Sequence, residues 1–364
     1  MEKYQNLDGL RAYAALGIVI MHVMANMQEP VFHDKVFLPV ISSFAELTLL
    51  FFIISSFSLC CGYYDRFASG NIDLNRFYQR RFLRILPFFA LMTVIDVVFS
   101  PSSSSFAEGI TNLSMVFGLL PNPDIHVIGV GWFVGVIFVF YLIFPFFCFL
   151  FSSRRKAWIS FTISVILYFI VCNYWMTESY LLSPIGKHNI IYSFPFFAAG
   201  GLIYLYRNRI SQIMTSSWSR FFLLTISIGI SFGYFFVNRQ YHIMSYNIGF
   251  IDTTYEFTKD IDFNLGIIHM LFVQTLWVII AIGPKMSLLS NKLVDYLSGI
   301  SMELYLSHMM CFRVAEKLHL NLLSDNIVIN YVVCCVATLS ISILFSHIVK
   351  YKVLPIVVQH FFKA

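Results

Sequence analysis

The chain has 364 residues, of which 58% are hydrophobic and only 12% are charged, and its formal net charge at pH 7 is +5. Soluble globular domains carry about 25% charged residues, so this composition excludes that class and predicts an integral membrane protein in contact with the lipid bilayer. Nucleic acid is excluded as a partner because the basic residues are spread over short loops between apolar segments rather than gathered in one patch.

Ten apolar segments follow one another along the chain. Each is close to the roughly 20 residues that an α-helix needs to cross a hydrocarbon layer about 30 Å thick, whereas barrel strands alternate over about 10 residues. The sequence therefore predicts an all-α bundle of about ten transmembrane helices. The predicted segments are approximately 7–27, 41–64, 82–99, 129–151, 158–175, 189–206, 220–237, 263–283, 295–315 and 327–349.

The basic residues predict the orientation of these segments, since Lys and Arg collect in cytoplasmic loops. With the N-terminus inside, 18 of the 24 fall on the cytoplasmic side, and both termini are then cytoplasmic. The other six are Lys35, Lys187, Arg239, Lys259, Arg313 and Lys317. We expect one transmembrane domain over residues 1–364 in a bacterial inner membrane, with no cleaved signal peptide and no appended soluble domain.

The longer connections are predicted outer loops at about 100–128 and 238–262 and a cytoplasmic loop at about 65–80. The outer pair is polar and acidic, so these loops either cap a site or are solvated connectors. All seven cysteines fall within predicted spans, and none has the Cys-x-x-Cys spacing of a zinc site. We therefore expect buried apolar cysteines and no metal.

The first segment carries three candidate catalytic residues. His22 lies well inside it, where an ionisable side chain costs roughly 2.5 to 3.5 kcal/mol and suggests a functional site. Arg11 is three helical turns earlier on the same face, and Asp8 stands at i,i+3 to Arg11 and can pair with it. The alternative is an Asp–Arg pair that anchors the helix, with His22 hydrogen-bonded to a neighbouring helix.

Arginines at the cytoplasmic entrance of the third segment form a second cluster. Arg81 and Arg84 stand at i,i+3, so their two planar guanidinium groups can hold an anion by charge-assisted hydrogen bonds. Positive-inside topology alone explains part of this charge. A phosphorylated ligand from the cytoplasm would nevertheless meet these side chains first.

The fourth and ninth segments supply candidate supporting residues. Trp132 and Tyr141 in the fourth are interpreted as ordinary aromatic belt residues at the membrane interface. Ser301, Tyr305 and His308 in the ninth follow i, i+4, i+7 and share one helix face, while Glu303 points elsewhere. Glu303, Glu46 and Asp96 are further intramembrane carboxylates, some of them structural.

Taken together, these segments resemble the membrane acyltransferase 3 family. Residues 7–12 through His22 are similar to its first helix, and residues 50–57 to its Phe-Phe-x-x-Ser-Gly-Phe motif, with Ser56 in place of glycine. Arg81-x-x-Arg84-Ile85-x-Pro87 resembles its paired-arginine motif, and Ser301-x-x-x-Tyr305-Leu306-x-His308 its ninth-helix motif. One departure concerns a Glu-Glu pair that many members carry after the tryptophan, since Ile137 and Phe138 stand there.

The resemblance implies an enzyme that moves an acyl group, usually acetyl from acetyl-CoA, onto a hydroxyl of an extracytoplasmic carbohydrate. Acetyl-CoA is the expected co-substrate, with its phosphates at Arg81 and Arg84 and its thioester directed toward His22. His22 would act as a general base or carry the acetyl group transiently, with Arg11 assisting. The acceptor would be a lipid-linked or surface glycan. The competing interpretation is a transporter or flippase for a polysaccharide intermediate or small anion.

Overall fold

The computed structural model describes residues 4–32, 37–115, 117–119, 125–170, 188–241, 245–247 and 262–361, and this part of the chain is almost entirely helical. The helices in chain order are α1 (Asn6–Ala25), α2 (Phe37–Ser42), α3 (Leu47–Leu59), α4 (Asp65–Ala68), α5 (Leu74–Phe99), α6 (Ser103–Leu113), α7 (Trp132–Leu150), α8 (Arg154–Ile170), α9 (Ile190–Thr215), α10 (Ser217–Tyr241), α11 (Leu265–Ala281), α12 (Lys292–Gly299), α13 (Ser301–Lys317), α14 (Ile327–Ile348) and α15 (Leu354–Phe361).

Shorter elements join or extend these helices. Two π-helical turns, Cys60–Tyr64 and Val349–Val353, continue α3 into α4 and α14 into α15. The 3₁₀ turns are Ser43–Glu46, Phe117–Leu119, Gly129–Gly131 and Leu320–Leu322. One antiparallel pair of three-residue strands, β1 (Ser245–Asn247) and β2 (Asp262–Asn264), precedes α11.

The helices confirm a helical membrane protein that crosses the bilayer several times. Within the described residues, five helical stretches are long and apolar enough to cross a membrane: Asn6–Ala25, Phe37–Ala68, Leu74–Phe99, Gly129–Leu150 and Ile327–Gln359. A sixth is obtained if α9 and α10, bent by 108° at their junction, form one span. Each of the ten predicted segments overlaps a helix. The count of ten spans and the cytoplasmic termini stay predictions.

Two predicted loops contain more helix than the sequence suggested. The serine run near residue 100 begins α6, because Ser102 Oγ accepts a hydrogen bond from the backbone N–H of Ser105, and Ser105 Oγ accepts one from the N–H of Ser102. The predicted cytoplasmic loop at 65–80 holds α4 and the first turns of α5, which Asp73 caps by accepting from the N–H of Arg76. These helices correct the prediction for α4, the start of α5 and α6, whereas residues 100–102 and 125–128 are not helical. The predicted loop at 238–262 lies mostly outside the described residues.

The described cysteines are all free, and five of the six are buried, as expected of small apolar side chains. They are Cys60, Cys61, Cys148, Cys311, Cys334 and Cys335, of which Cys61 is half-buried. Cys172 lies outside the described residues.

The first turn of α1 is fixed to the connection between α11 and α12. Asn6 is buried, and its side-chain amide donates to the carbonyls of Ala281, Gly283 and Pro284 at 2.9 to 3.3 Å. Its Oδ1 accepts from the N–H of Met286 at 2.8 Å. Gly9 lets the two backbones approach, since a Cβ there would lie 2.6 Å from Leu289 Cα. α1 then runs through the bundle in contact with α3, α13 and α14.

Candidate functional site

A cavity of about 600 Å³, counted with its open mouth, lies between α1, α3, α5, α7 and α13. It contains five of the predicted site residues, from four different helices: Arg11, Arg84, Tyr141, Ser301 and Tyr305. The rest of the wall is largely apolar and consists of Phe51, Ser55, Ile85, Phe133, Val134, Ile137 and Met302. The structure therefore brings together residues that are far apart in the chain. Arg11 and Tyr305, for example, are separated by about 290 positions.

Arg11 is held from two sides. One of its terminal nitrogens donates to Asp8 Oδ1 at 3.1 Å, which confirms the predicted pairing within α1. The other donates to Ser58 Oγ on α3 at 2.7 Å, and Ser298 Oγ on α12 donates to the same Asp8 oxygen at 3.2 Å. The guanidinium plane is thus fixed at the cavity wall by groups from three helices.

The paired arginines of α5 occupy different surroundings. Arg84 is exposed, lines the cavity and lies within electrostatic range of Arg11. Arg81 lies outside the lining; its guanidinium carbon is 5.8 Å from the ring centroid of Tyr141 and 5.3 Å from that of Tyr63, and it donates to Tyr63 Oη at 3.2 Å. Its Nε is buried and makes no hydrogen bond. Arg81 therefore adjoins the cavity through Tyr141, and one of its donors is unused.

His22 lies in the last turn of α1, nearer the helix end than its position in the apolar segment suggested. Its ring faces His308 of α13, with 4.9 Å between ring centroids and 3.2 Å between His22 Nδ1 and His308 Nε2. His308 is fully buried, and its ring centroid is 6.0 Å from that of Tyr305, which lines the cavity. The cavity lining includes neither His22 nor His308; Tyr305 is the lining residue next to His308, which in turn contacts His22.

The remaining predicted residues support this wall. Ser301 Oγ donates to the carbonyl of Ser298 at 2.9 Å, and Tyr305 Oη donates to the carbonyl of Val130 at 2.7 Å. Trp132, the first residue of α7, is 5% exposed and stacks on His188 with 4.6 Å between ring centroids. Its burial, like that of Tyr141, corrects the interpretation of these two side chains as belt residues facing lipid.

Two of the three predicted intramembrane carboxylates, Glu303 and Asp96, form ion pairs. Glu303 is buried and forms an ion pair with Lys350 at 2.9 Å, which confirms that it points away from the face of Ser301 and Tyr305. Asp96 accepts from Arg313 at 3.0 Å and from the N–H of Ile128 at 2.9 Å.

Several residues of the site were missed by the sequence analysis. Ser58, Tyr63, Ser298 and His188 contact the predicted residues, but each belongs to another helix or loop and has no distinctive sequence pattern. Ile137 lines the cavity, so the acidic pair that the family resemblance suggested near this position is replaced by an apolar wall. Within the described part of the chain, no group of three or more His, Cys, Asp or Glu side chains could hold a metal ion.

The fold and the site together define a helical membrane protein with a basic cavity and, next to the cavity residue Tyr305, a pair of contacting histidines of which His308 is buried. Residues 4–347 match the acyltransferase 3 family, described as an acyltransferase domain, and the chain therefore belongs to this family. It is a membrane acyltransferase. A protein of Haemophilus influenzae, described only as an uncharacterized protein, is 25% identical over 228 residues, covering 56% of this chain and 89% of its own length. No solved structure matches the chain.

Proposed function

We propose that this acyltransferase moves an acetyl group from cytoplasmic acetyl-CoA to a hydroxyl of an extracytoplasmic carbohydrate, a lipid-linked or surface glycan. The observation that carries the proposal is the cavity, which contains the cationic side chains of Arg11 and Arg84 and is also lined by Tyr305. The ring of Tyr305 is next to His308, and His308 contacts His22. Arg11 and His22 are eleven residues apart on α1, or about 16 Å along a helix axis.

The donor is recognised by its phosphates. Arg84 presents its guanidinium to the cavity, and Arg81 has a buried Nε without a hydrogen-bond partner beside Tyr141. Guanidinium groups bind phosphate by paired, charge-assisted hydrogen bonds, so these two side chains suit the polyanionic half of acetyl-CoA. The largely apolar wall beyond them, which includes Phe133 and Ile137, suits the uncharged pantetheine arm.

The transfer is carried by His22. Its imidazole removes the proton of the acceptor hydroxyl, and the hydroxyl oxygen forms a bond to the carbonyl carbon of the acetyl thioester. The carbon–sulfur bond breaks, and the departing sulfur takes the proton from the imidazole. The products are the acetylated carbohydrate and CoA with a free thiol, and His22 returns to its neutral form.

Membrane vesicles reconstituted with the purified chain test this proposal. Labelled acetyl-CoA is supplied on one side, with a lipid-linked oligosaccharide in the vesicle membrane. We expect label in the extracted glycolipid, in ester linkage that mild base releases. Label that accumulates in the lumen without becoming attached to glycan would contradict the proposal and favour a transporter. Vesicles with His22→Ala protein serve as the control.

A further inference from the structure

The hydrogen-bond contacts of the histidine pair indicate which ring nitrogens carry protons, because the Nδ1 atom of each ring faces a backbone carbonyl oxygen. His308 Nδ1 lies 2.6 Å from the backbone carbonyl oxygen of Tyr305. A carbonyl oxygen only accepts hydrogen bonds, so His308 Nδ1 must carry the proton. In neutral His308, the other nitrogen, Nε2, then has a lone pair.

The same reasoning fixes the second ring. His22 Nδ1 lies 3.1 Å from the backbone carbonyl oxygen of Ile18 and 3.2 Å from His308 Nε2. Both are acceptors, so His22 Nδ1 carries a proton that it shares between them. The hydrogen bonds all run in one direction, from His22 to His308 and from His308 to the backbone of Tyr305. In neutral His22, the lone pair is therefore on Nε2.

We infer that His308 is a positioning residue that, together with the carbonyl of Ile18, holds His22 in its Nδ1–H tautomer, so that Nε2 is the atom that reacts. This role rests on the proposed function, in which His22 takes the proton of the acceptor hydroxyl. When Nε2 accepts that proton, His22 becomes an imidazolium whose Nδ1–H is still held by Ile18 and His308. The neutral His308 Nε2 stabilises the positive charge as a hydrogen-bond acceptor without taking a proton itself.

The surroundings support a fixed tautomer rather than an accidental contact. His308 is 0% exposed, so water cannot replace His22 as the partner of its Nε2. The His308 ring is oriented by the carbonyl of Tyr305, one turn earlier on the same helix, so the direction of its Nε2 is fixed. This is the arrangement of a catalytic base oriented by a third group, with a neutral imidazole where other enzymes use a carboxylate.

Two substitutions of His308 separate positioning from packing. His308→Leu removes the acceptor and fills similar space, whereas His308→Gln keeps an acceptor oxygen close to the place of Nε2. We expect His308→Leu to lower kcat about 10- to 100-fold, as loss of an orienting partner does elsewhere, with KM for both substrates within about twofold. His308→Gln should recover much of that loss. His347→Gln is the matched control and should behave as wild type, because His347 of α14 is hydrogen-bonded to Tyr296 of α12 and not to the histidine pair.

A direct measurement of the tautomer completes the test without using activity. Nitrogen-15 NMR of the histidine-labelled full chain, with the His22 signals assigned by their loss in His22→Asn, should show a protonated Nδ1 and an unprotonated Nε2. In His308→Leu only the Ile18 carbonyl still accepts from Nδ1, so the Nδ1–H tautomer should be less populated than in wild type. A wild-type His22 protonated at Nε2, or His308→Gln as slow as His308→Leu in folded protein, would overturn the inference. Undiminished activity in His22→Ala would instead overturn the proposed function and leave the tautomer result standing.

Discussion

Asp8 and Arg11 form an ion pair within the first helix, with 3.1 Å between the carboxylate oxygen and the guanidinium nitrogen. The pair is not isolated, because Arg11 also donates to Ser58 and Asp8 also accepts from Ser298. Three helices therefore meet at one guanidinium group on the cavity wall. Because the guanidinium is already ordered, substrate binding does not have to fix its orientation, which is the advantage of a preorganised site.

The first prediction concerns the shape of Arg11 rather than its charge. Arg11→Lys keeps the positive charge but has a single ammonium nitrogen in place of the two guanidinium nitrogens that separately reach Asp8 and Ser58, so it cannot keep both contacts in their present geometry. Loss of one charge-assisted hydrogen bond lowers a rate or affinity by about tenfold or more, so we expect the rate of acetyl transfer to fall by that factor. Ser58→Ala removes only one of the two anchors and should cost less. A wild-type rate in Arg11→Lys would contradict the role of the fixed guanidinium.

The second prediction concerns recognition of the donor. Arg84→Ala should raise KM for acetyl-CoA about 10- to 100-fold while leaving kcat much less changed, because the phosphate contact is made in the ground state and the transition state alike. Initial rates over a range of donor concentrations measure both constants. Arg76→Ala, an exposed arginine two turns earlier on α5, is the matched control and should have no effect. Equal KM values in the Arg84 and Arg76 variants would show that Arg84 does not bind the phosphates of the donor.

A third prediction concerns stability and involves no catalytic residue. Lys350→Met leaves the buried carboxylate of Glu303 without its counter-ion, and we expect a loss of about 3 kcal/mol or less, since Lys350 is itself partly exposed. The double variant with Glu303→Gln should recover most of this loss. Thermal unfolding of the detergent-solubilised chain measures both, with the exposed Lys352→Met as control. If the double variant is as unstable as Lys350→Met alone, the ion pair is not the cause.

A fourth prediction concerns the connection before α7. Asp96 accepts from the N–H of Ile128, and Glu108 accepts from the N–H groups of His126 and Val127 at 2.8 and 2.7 Å. These two carboxylates hold the segment that carries Val130, whose carbonyl receives Tyr305. Asp96→Ala should accelerate hydrogen exchange at Ile128 while leaving α7 protected, as mass spectrometry of peptides would show. Unchanged exchange at Ile128 would show that Asp96 does not hold this segment.

The helical segments could be read from the sequence because apolar length is a local property. The predicted ends of the helices were less accurate where a polar side chain begins a helix. Ser102 and Asp73 each accept a hydrogen bond from a backbone N–H three residues later, so each begins a helix within a stretch that was predicted as a loop. The sequence does not distinguish a serine that caps a helix from a serine in a loop. The difference lies in the backbone hydrogen bond that the capping serine accepts.

The candidate site was only partly predictable, for a similar reason. Spacing along one helix predicted that Asp8 would pair with Arg11 and that Ser301 and Tyr305 would share a face, and both are found. The contact of His22 with His308 joins residues 286 positions apart. No periodicity encodes which helices become neighbours, because that depends on packing across the whole bundle. The buried ion pair of Glu303 was hidden for the same reason.

The central claim is that His22 carries the transfer, and its most direct test is a comparison of wild type and His22→Ala in reconstituted vesicles. Both proteins are first matched for amount and folding, and the acetyl-CoA affinity of each is then measured. Removal of a general base costs about 10²- to 10⁴-fold, so the variant should bind donor normally yet transfer acetyl at least about a hundredfold more slowly. Ester-linked acetyl that forms at the wild-type rate in His22→Ala would contradict the account.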